Sequence, residues 1–359
     1  MRKSDWLLNT SRAATNQKAN TPLHEFLVKL MRGENLNPKE SSDFFRALTS
    51  RDASPEQIAA SIVALVSKGE TFEELAGMAN VMNAQSSKIS THHKNFIDTS
   101  GTGSSPAKTF NVSTAAAFVV AGAGLAVAKH TNRAVTSKTG SADVLSKLDV
   151  KISVEKKLAQ ACLNGAGICF MFAPKFHRSL LRVADVKRKL GIRSSLNLLG
   201  VLSNPSNAPR QLVGVWHPSL IEPMAQALAL LGRKKAWVVH GSDGLDELTL
   251  SGSTQIAEVV GNKIRNFQLS PEDFGLQSAE IKHLKAESPQ KSAEIIRDVL
   301  DSNRRDESRS LVVMNAAAAL LVGGKSNNPM QAARLAEQSI DSGSARIKLD
   351  RLIQTTNKK

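Results

Sequence analysis

Residues 98–114 read Asp-Thr-Ser-Gly-Thr-Gly-Ser-Ser-Pro-Ala-Lys-Thr-Phe-Asn-Val-Ser-Thr. Gly101 and Gly103 allow a backbone to come close to a ligand. Asn111, Ser113 and Thr114 put polar groups at a helix start, where free amides and the dipole favour an anion. The glycine spacing fits neither a dinucleotide fingerprint nor a Walker loop. The chemistry it suggests is another kind of phosphate cradle, although a glycine-rich turn with a Ser/Thr cap has the same composition. Residues 129–141, Lys-His-Thr-Asn-Arg-Ala-Val-Thr-Ser-Lys-Thr-Gly-Ser, add Lys129, Arg133 and Lys138 among hydroxyl and amide side chains, a set suited to a polyanion. Gly140-Ser141 open the next helix. In residues 239–247, Val-His-Gly-Ser-Asp-Gly-Leu-Asp-Glu, the adjacent carboxylates Asp246 and Glu247 could hold a hard cation whose shell is completed by substrate phosphates; Asp243 reads as a turn residue. Residues 175–193 carry Lys175, Arg178, Arg182, Lys187, Arg188, Lys189 and Arg193 against Asp185. Arg178 and Arg182, one turn apart, would share a helix face, giving either a solvated helix or an anion-facing surface.

These segments need elements to position them. Residues 22–91 read as a small all-helical domain. Leu23, Phe26, Leu27, Leu30 and Met31 recur at helical spacing, followed by Phe44, Phe45 and Leu48. Ser54-Pro55 is a helix start, with Ile58, Ile62, Leu65 and Val66 behind it. Thr71 to Glu74 form a capping box ahead of Leu75, Met78, Ala79 and Met82. Beyond residue 92 short apolar strands (96–98, 125–128, 168–172, 212–216 and 236–240) alternate with helical patterns. That alternation predicts a larger α/β domain, residues 92–350, around a mostly parallel sheet. Ligands bind such sheets where strand ends meet helix starts. Residues 302–310 read as a charged surface loop, and 351–359 as a frayed tail.

The 359 residues supply ample apolar material for a core. No apolar run reaches the roughly 18 residues of a membrane span, so a membrane role is not expected. Cys162 and Cys169 read as core thiols of a cytoplasmic protein. Residues 1–21 are basic and lack an apolar stretch; they read as a disordered tail, with a transit peptide as the second reading. Lys plus Arg number 47 against 32 Asp plus Glu, a net +15, which favours anionic partners. A polyphosphate substrate accounts for part of that excess and leaves nucleic acid as a secondary partner. Aromatic residues are 4% and Tyr is absent, so stacking platforms for single strands are scarce.

With these segments in view, residues 22 to about 350 resemble the anthranilate phosphoribosyltransferases. The resemblance rests on Gly-Thr-Gly and Asn-Val-Ser-Thr, on Lys-His-x-Asn-Arg with Ser-Lys-x-Gly-Ser, and on Leu-Gly-Ile-Arg-x-x-x-Asn-Leu-Leu-Gly at 190–200. His-Gly-x-Asp-Gly-Leu-Asp-Glu and Met314-Asn-Ala-Ala-Ala add to it. It implies a fold of the nucleoside phosphorylase/phosphoribosyltransferase type, with helices near 175–190 joining the helical domain, and a homodimer built through the helical part. The implied reaction joins anthranilate to phosphoribosyl pyrophosphate with magnesium, releasing pyrophosphate, in tryptophan biosynthesis. Gly101, Ser104, Ser105, Thr109, Asn111, Val112, Ser113 and Thr114 would hold the donor. Lys129, His130, Arg133, Ser137 and Ser141 would take its pyrophosphate and ribose phosphate. Ser113, Asp246 and Glu247 would bind magnesium, Asn132 would contact anthranilate, and His177 and Lys187 would line its channel. No covalent protein nucleophile is expected.

The chain departs from the family pattern at five places. Ser104-Ser105 replaces Gly-Asp, Thr131 a Gly, Arg178 a Pro, Lys187 an anthranilate-gripping Arg, and Val201 a Pro. Two other readings accompany the main one. One is a non-enzymatic nucleic-acid-binding relative, suggested by charge; the other is a phosphoribosyltransferase or phosphorylase with another acceptor, suggested by these substitutions.

Overall fold

The computed structural model describes residues 22–103, 105, 107–133 and 139–358. The basic leader and two candidate site residues, Ser104 and Ser137, lie outside the described residues. Four helices come first, α1 (Pro22–Met31), α2 (Pro38–Thr49), α3 (Pro55–Lys68) and α4 (Phe72–Ala84). Helices α2, α3 and α4 each begin on a reciprocal cap: Asn37 with Glu40, Ser54 with Gln57, and Thr71 with Glu74. Each cap satisfies two amides that the helix cannot and contributes about 1 kcal/mol. Glu74 also takes Leu36 N and Lys68 Nζ, so this buried carboxylate is fully paired.

The rest of the chain alternates. In order come β1 (Phe96–Asp98), α5 (Val112–Gly122), β2 (Ala126–Thr131), α6 (Ser141–Lys147), α7 (Lys156–Ala166), β3 (Ile168–Phe172), α8 (Ala173–Phe176), α9 (Leu181–Leu190) and α10 (Ser195–Leu202). Then follow β4 (Arg210–Gly214), α11 (Ile221–Leu230), β5 (Lys235–Gly241), β6 (Thr254–Val260), β7 (Lys263–Leu269), α12 (Pro289–Leu300), α13 (Glu307–Val322), α14 (Pro329–Asp341) and α15 (Ser344–Asn357). The sheet order is β3-β2-β1-β4-β5-β6-β7. β1 to β5 pair in parallel, because a helix returns the chain across the sheet between each of them; β6 and β7 pair antiparallel. The expected α/β class with a mostly parallel sheet is what forms. The β6–β7 hairpin was not foreseen from the sequence. Lys263, Arg265, Asn266 and Gln268 make β7 a half-exposed edge strand, and it lacks the continuous apolar run of a strand buried on both faces.

Two further expectations are corrected. Residues 351–357 are not a frayed tail but the last two turns of α15. There Thr356 is buried, its hydroxyl accepts Lys151 N, and Asn357 Nδ2 donates to Asp149 O. The charged stretch 302–310 is surface loop only to Asp306, which caps α13. Arg309 within it is buried and bonded to Asp341.

Side-chain alternation along the central strands separates two cores. Leu212, Trp237, Val239 and Ile256 face the layer containing α5 and α12 to α15. Val213, Val215, Ala236, Val238, Ala257 and Val259 face α11, and with it α1–α4, α9 and α10, in one continuous apolar cluster. The helical part therefore shares its core with one face of the sheet, and α9 packs against α3 and α2. A cleft is left where the ends of β1, β2 and β5 meet α9 and α10.

Candidate active site

That cleft is a cavity of about 680 Å³. Its sheet end is built at the close of β4. Thr102 donates its amide and its hydroxyl to Gly214 O, at 2.8 and 3.0 Å. A Cβ on Gly214 would stand 1.5 Å from Asp246 O, and one on Gly101 would stand 3.4 Å from Asp246 Oδ2. The loops after β1 and β5 are thus pressed together over a glycine with no room for a side chain. This brings Gly101, Ser105, Thr109, Asn111, Ser113, Lys129, Asp246 and Glu247 to one end of the cavity.

Asp246 and Glu247 are both pushed above the usual carboxylate range, chiefly by burial. Glu247 reaches about 8, with the Asp246 charge as the second cause. Ser113 N donates to Glu247 Oε1 at 2.9 Å. Two adjacent, partly buried acids whose ionisation is disfavoured are a donor set short of positive charge. Among the described residues no group of three or more His, Cys, Asp or Glu side chains could enclose a metal. The oxygen donors present therefore suit a hard divalent cation shared with an incoming phosphate ligand, and not one held by the protein alone.

The expectation of free amides at the start of α5 is corrected. Val112 N donates to Phe110 O, Thr114 N to Asn111 O, and Ser113 N to Glu247. Val112 and Thr114 are fully buried and do not reach the cavity. Asn111 holds the helix start in place, donating to Thr139 O and accepting from Ser292 Oγ. Other tips are committed as well: Ser105 Oγ donates to Gly244 O at 2.5 Å, Thr109 Oγ1 to Phe110 O, and Lys129 Nζ to Thr99 O. Burial lowers the Lys129 ammonium from its usual value.

His130 joins the two ends of the cavity. Its Nδ1 lies 2.6 Å from Gly200 O on α10, and its ring meets His177 edge-on at 4.9 Å. Burial holds both imidazoles neutral, with His177 down to about 3. Asn132, Arg133 and Ser141 line the wall beside them; Arg133 lies 5.9 Å over the Phe172 ring, with its guanidinium 3.8 Å from Asp143. The helical end has a largely apolar wall containing Leu181, Ala184, Leu196 and Val201, with Lys187 set into it. The Lys187 ammonium makes no hydrogen bond or ion pair among the described residues, and burial pushes it down to about 8.

The expectation that Arg178 and Arg182 share one helix is corrected, and several cations of the basic run are paired within the protein. Arg178 sits in a 3-10 turn ahead of α9 and, with Lys175, reaches Glu155. Arg182 donates to the carbonyls of Ser50, Arg51 and Ala53, in the connection between α2 and α3. Arg188 and Lys189 pair with Asp185.

Two supports were missed. Buried Asp98 accepts from Ser100 Oγ, from His130 N and, at 2.7 Å, from Asn204 Nδ2; Asn204 also donates to Ala128 O. This ties the ends of β1 and β2 to the loop after α10. Asn315, in the middle of α13, pairs with Leu248 N and O and fixes the chain directly after Glu247. A lone Asn in an Ala-rich helix was the only signal for the second, and sequence spacing carried none for the first.

Comparison with known proteins bears on the same residues. Residues 24–86 match the model of the glycosyl transferase family helical bundle domain, and residues 93–346 that of the glycosyl transferase family a/b domain. The anthranilate phosphoribosyltransferase of Moorella thermoacetica is 44% identical over 327 residues, 91% of this chain and 96% of its own. The structure of the Thermus thermophilus anthranilate phosphoribosyltransferase superposes with a TM-score of 0.87 at 35% identity, covering 92% of this chain and 99% of its own. The Saccharomyces cerevisiae enzyme in complex with phosphoribosyl pyrophosphate and magnesium superposes with a TM-score of 0.86 at 25% identity, covering 95% and 99%.

Proposed function

The chain belongs to the anthranilate phosphoribosyltransferase family, and on that premise we propose that the cavity between sheet and helices is where it carries out the family reaction. That reaction transfers phosphoribosyl from phosphoribosyl pyrophosphate to anthranilate and releases pyrophosphate, a step of tryptophan biosynthesis that depends on magnesium. The observation that carries the assignment is the convergence of Asp246, Glu247 and Ser113 at one end of a cavity whose other end is an apolar wall bearing an unpaired lysine. A polyanion that brings magnesium fits the first end; a flat aromatic acid fits the second.

Asp246 and Glu247, with Ser113 beside them, would hold magnesium against the donor phosphates, and the metal would draw charge from the leaving pyrophosphate. Gly101 would let the donor lie against the backbone. Ser104, Ser105, Thr109 and Asn111 would surround it, with Val112 and Thr114 holding the helix start behind them. Lys129, Arg133, Ser137 and Ser141 would face its phosphates. Leaving-group departure builds positive character on the ribose, and the aromatic amine attacks that carbon. The chain's own part is positioning and charge, with no covalent intermediate. Lys187 would pair with the anthranilate carboxylate, Asn132 would orient the ring, and the neutral pair His130 and His177 would close the wall around the amine without adding charge.

A homodimer through the helical part is proposed from Met31, Val63 and Val66, which are 56%, 43% and 37% exposed on α1 and α3. No helix of the described residues is long and apolar enough to cross a membrane. A cytoplasmic location is proposed, with Cys162 and Cys169 free and buried. The test of function is loss of anthranilate fluorescence in the presence of magnesium and phosphoribosyl pyrophosphate. The wild type should consume anthranilate and Asp246→Ala/Glu247→Ala should not. A folded wild type that leaves anthranilate untouched sinks the assignment.

A further inference from the structure

Lys108 carries the only charge between Thr99 and Asn111. It lies on the loop that follows β1 and lines the cavity at the Asp246 end. The polar tips around it are tied into the protein: Lys129 to Thr99 O, Ser105 to Gly244 O, and Thr109 to Phe110 O. Lys108 makes no hydrogen bond or ion pair among the described residues. Its electrostatic surroundings are one opposite charge, Asp246, and two like charges, Arg193 and Lys285. Those two come from separate segments, the α9–α10 connection and the stretch before α12, and Arg193 lies 6.0 Å over the Trp216 ring. Lys108 thus meets two like charges against one opposite charge in a partly desolvated cleft. An anion in the cleft relieves that repulsion, and Lys108 is the member of the three that lines it.

We propose that Lys108 is a direct binding residue for the pyrophosphate group of the donor, acting as a fixed cation beside Asp246 and independently of the metal. This rests on the reading that the cavity binds phosphoribosyl pyrophosphate. The loop carries hydroxyls at Ser104 and Ser105 and no acid, so Lys108 sets its net charge, and that charge matches a diphosphate. One charge-assisted contact of an ammonium with a phosphate oxygen accounts for about a tenfold change in affinity.

The test is calorimetric titration of inorganic pyrophosphate into the full-length protein, with and without magnesium, for the wild type, Lys108→Met and Lys108→Arg. Circular dichroism would establish that all three are folded. The expected result is about a tenfold weaker affinity in Lys108→Met, by the same factor with and without magnesium, and recovery of most of it in Lys108→Arg. In turnover assays the KM for the donor should rise by a similar factor while the KM for anthranilate holds. If the wild type binds pyrophosphate and Lys108→Met binds it equally well, the proposal fails and the functional reading stands. A loss seen only with magnesium, or not recovered by arginine, also overturns it. A wild type that binds no pyrophosphate under either condition overturns the functional reading itself.

Discussion

Lys187 is the residue through which the helical end of the cavity would meet a charged ligand. Its ammonium has no partner among the described residues and is held down to about 8 by burial. It is therefore protonated below that pH and loses its proton above it. A bound carboxylate favours the charged form and raises the value again. The expected consequence is a kcat/KM for anthranilate that falls as pH rises through about 8, a limb that belongs to the free enzyme and is absent from kcat. Lys187→Arg should abolish this limb, because a guanidinium stays charged throughout. Lys187→Met should raise the KM for anthranilate about tenfold to a hundredfold, the cost of one charge-assisted contact, with the KM for the donor unchanged. Steady-state kinetics across pH 6–10 would check both. A flat profile in the wild type would remove Lys187 from the acceptor's contacts.

The elements that matter most are the parallel strands whose ends carry the loops. The loop after β1 and the loop after β5 touch because β4, lying between them in the sheet, ends in Gly214, and Asp246 O occupies the space of the missing side chain. Gly214→Ala would force that carbonyl away and shift both acids. An activity loss of at least about a hundredfold is expected from misplacing a reacting group by an ångström, together with a lower thermal midpoint from overpacking. Asn315 on α13 fixes the chain after β5, and Asn204 ahead of β4 fixes the ends of β1 and β2. An active Gly214→Ala protein would mean that the two loops need not touch.

In the whole molecule the helical part and the sheet share one apolar cluster, so the cavity between them has continuous, packed walls. Within residues 175–189 of this chain of net charge +15, Lys175 and Arg178 share Glu155, Arg188 and Lys189 share Asp185, and Arg182 holds backbone carbonyls. The exposed apolar residues Met31, Val63 and Val66 offer a different contact. If they pair two copies, Val63→Glu/Val66→Glu should sediment at half the mass of the wild type. A wild type that sediments as a monomer would end the dimer proposal.

Local signals were legible in the sequence wherever the physics is local. The caps at Ser54 and Thr71, the alternation of strands and helices, and the carboxylate pair after β5 each depend on neighbours within a few residues. Those signals were enough for the fold class. What the tertiary structure alone decided depends on partners far apart in the chain. Asp98 is tied to Asn204 across 106 residues, and the amide of Ser113 is taken by Glu247 across 134. Arg182 turns to the connection between α2 and α3, where it holds Ala53 O from 129 residues away. A composition rule can count cations and hydroxyls. Which of them are already bonded inside the protein, and which, like Lys108 and Lys187, have ammonium groups without a partner among the described residues, is settled only when the strands are laid side by side and the buried polar groups find their partners.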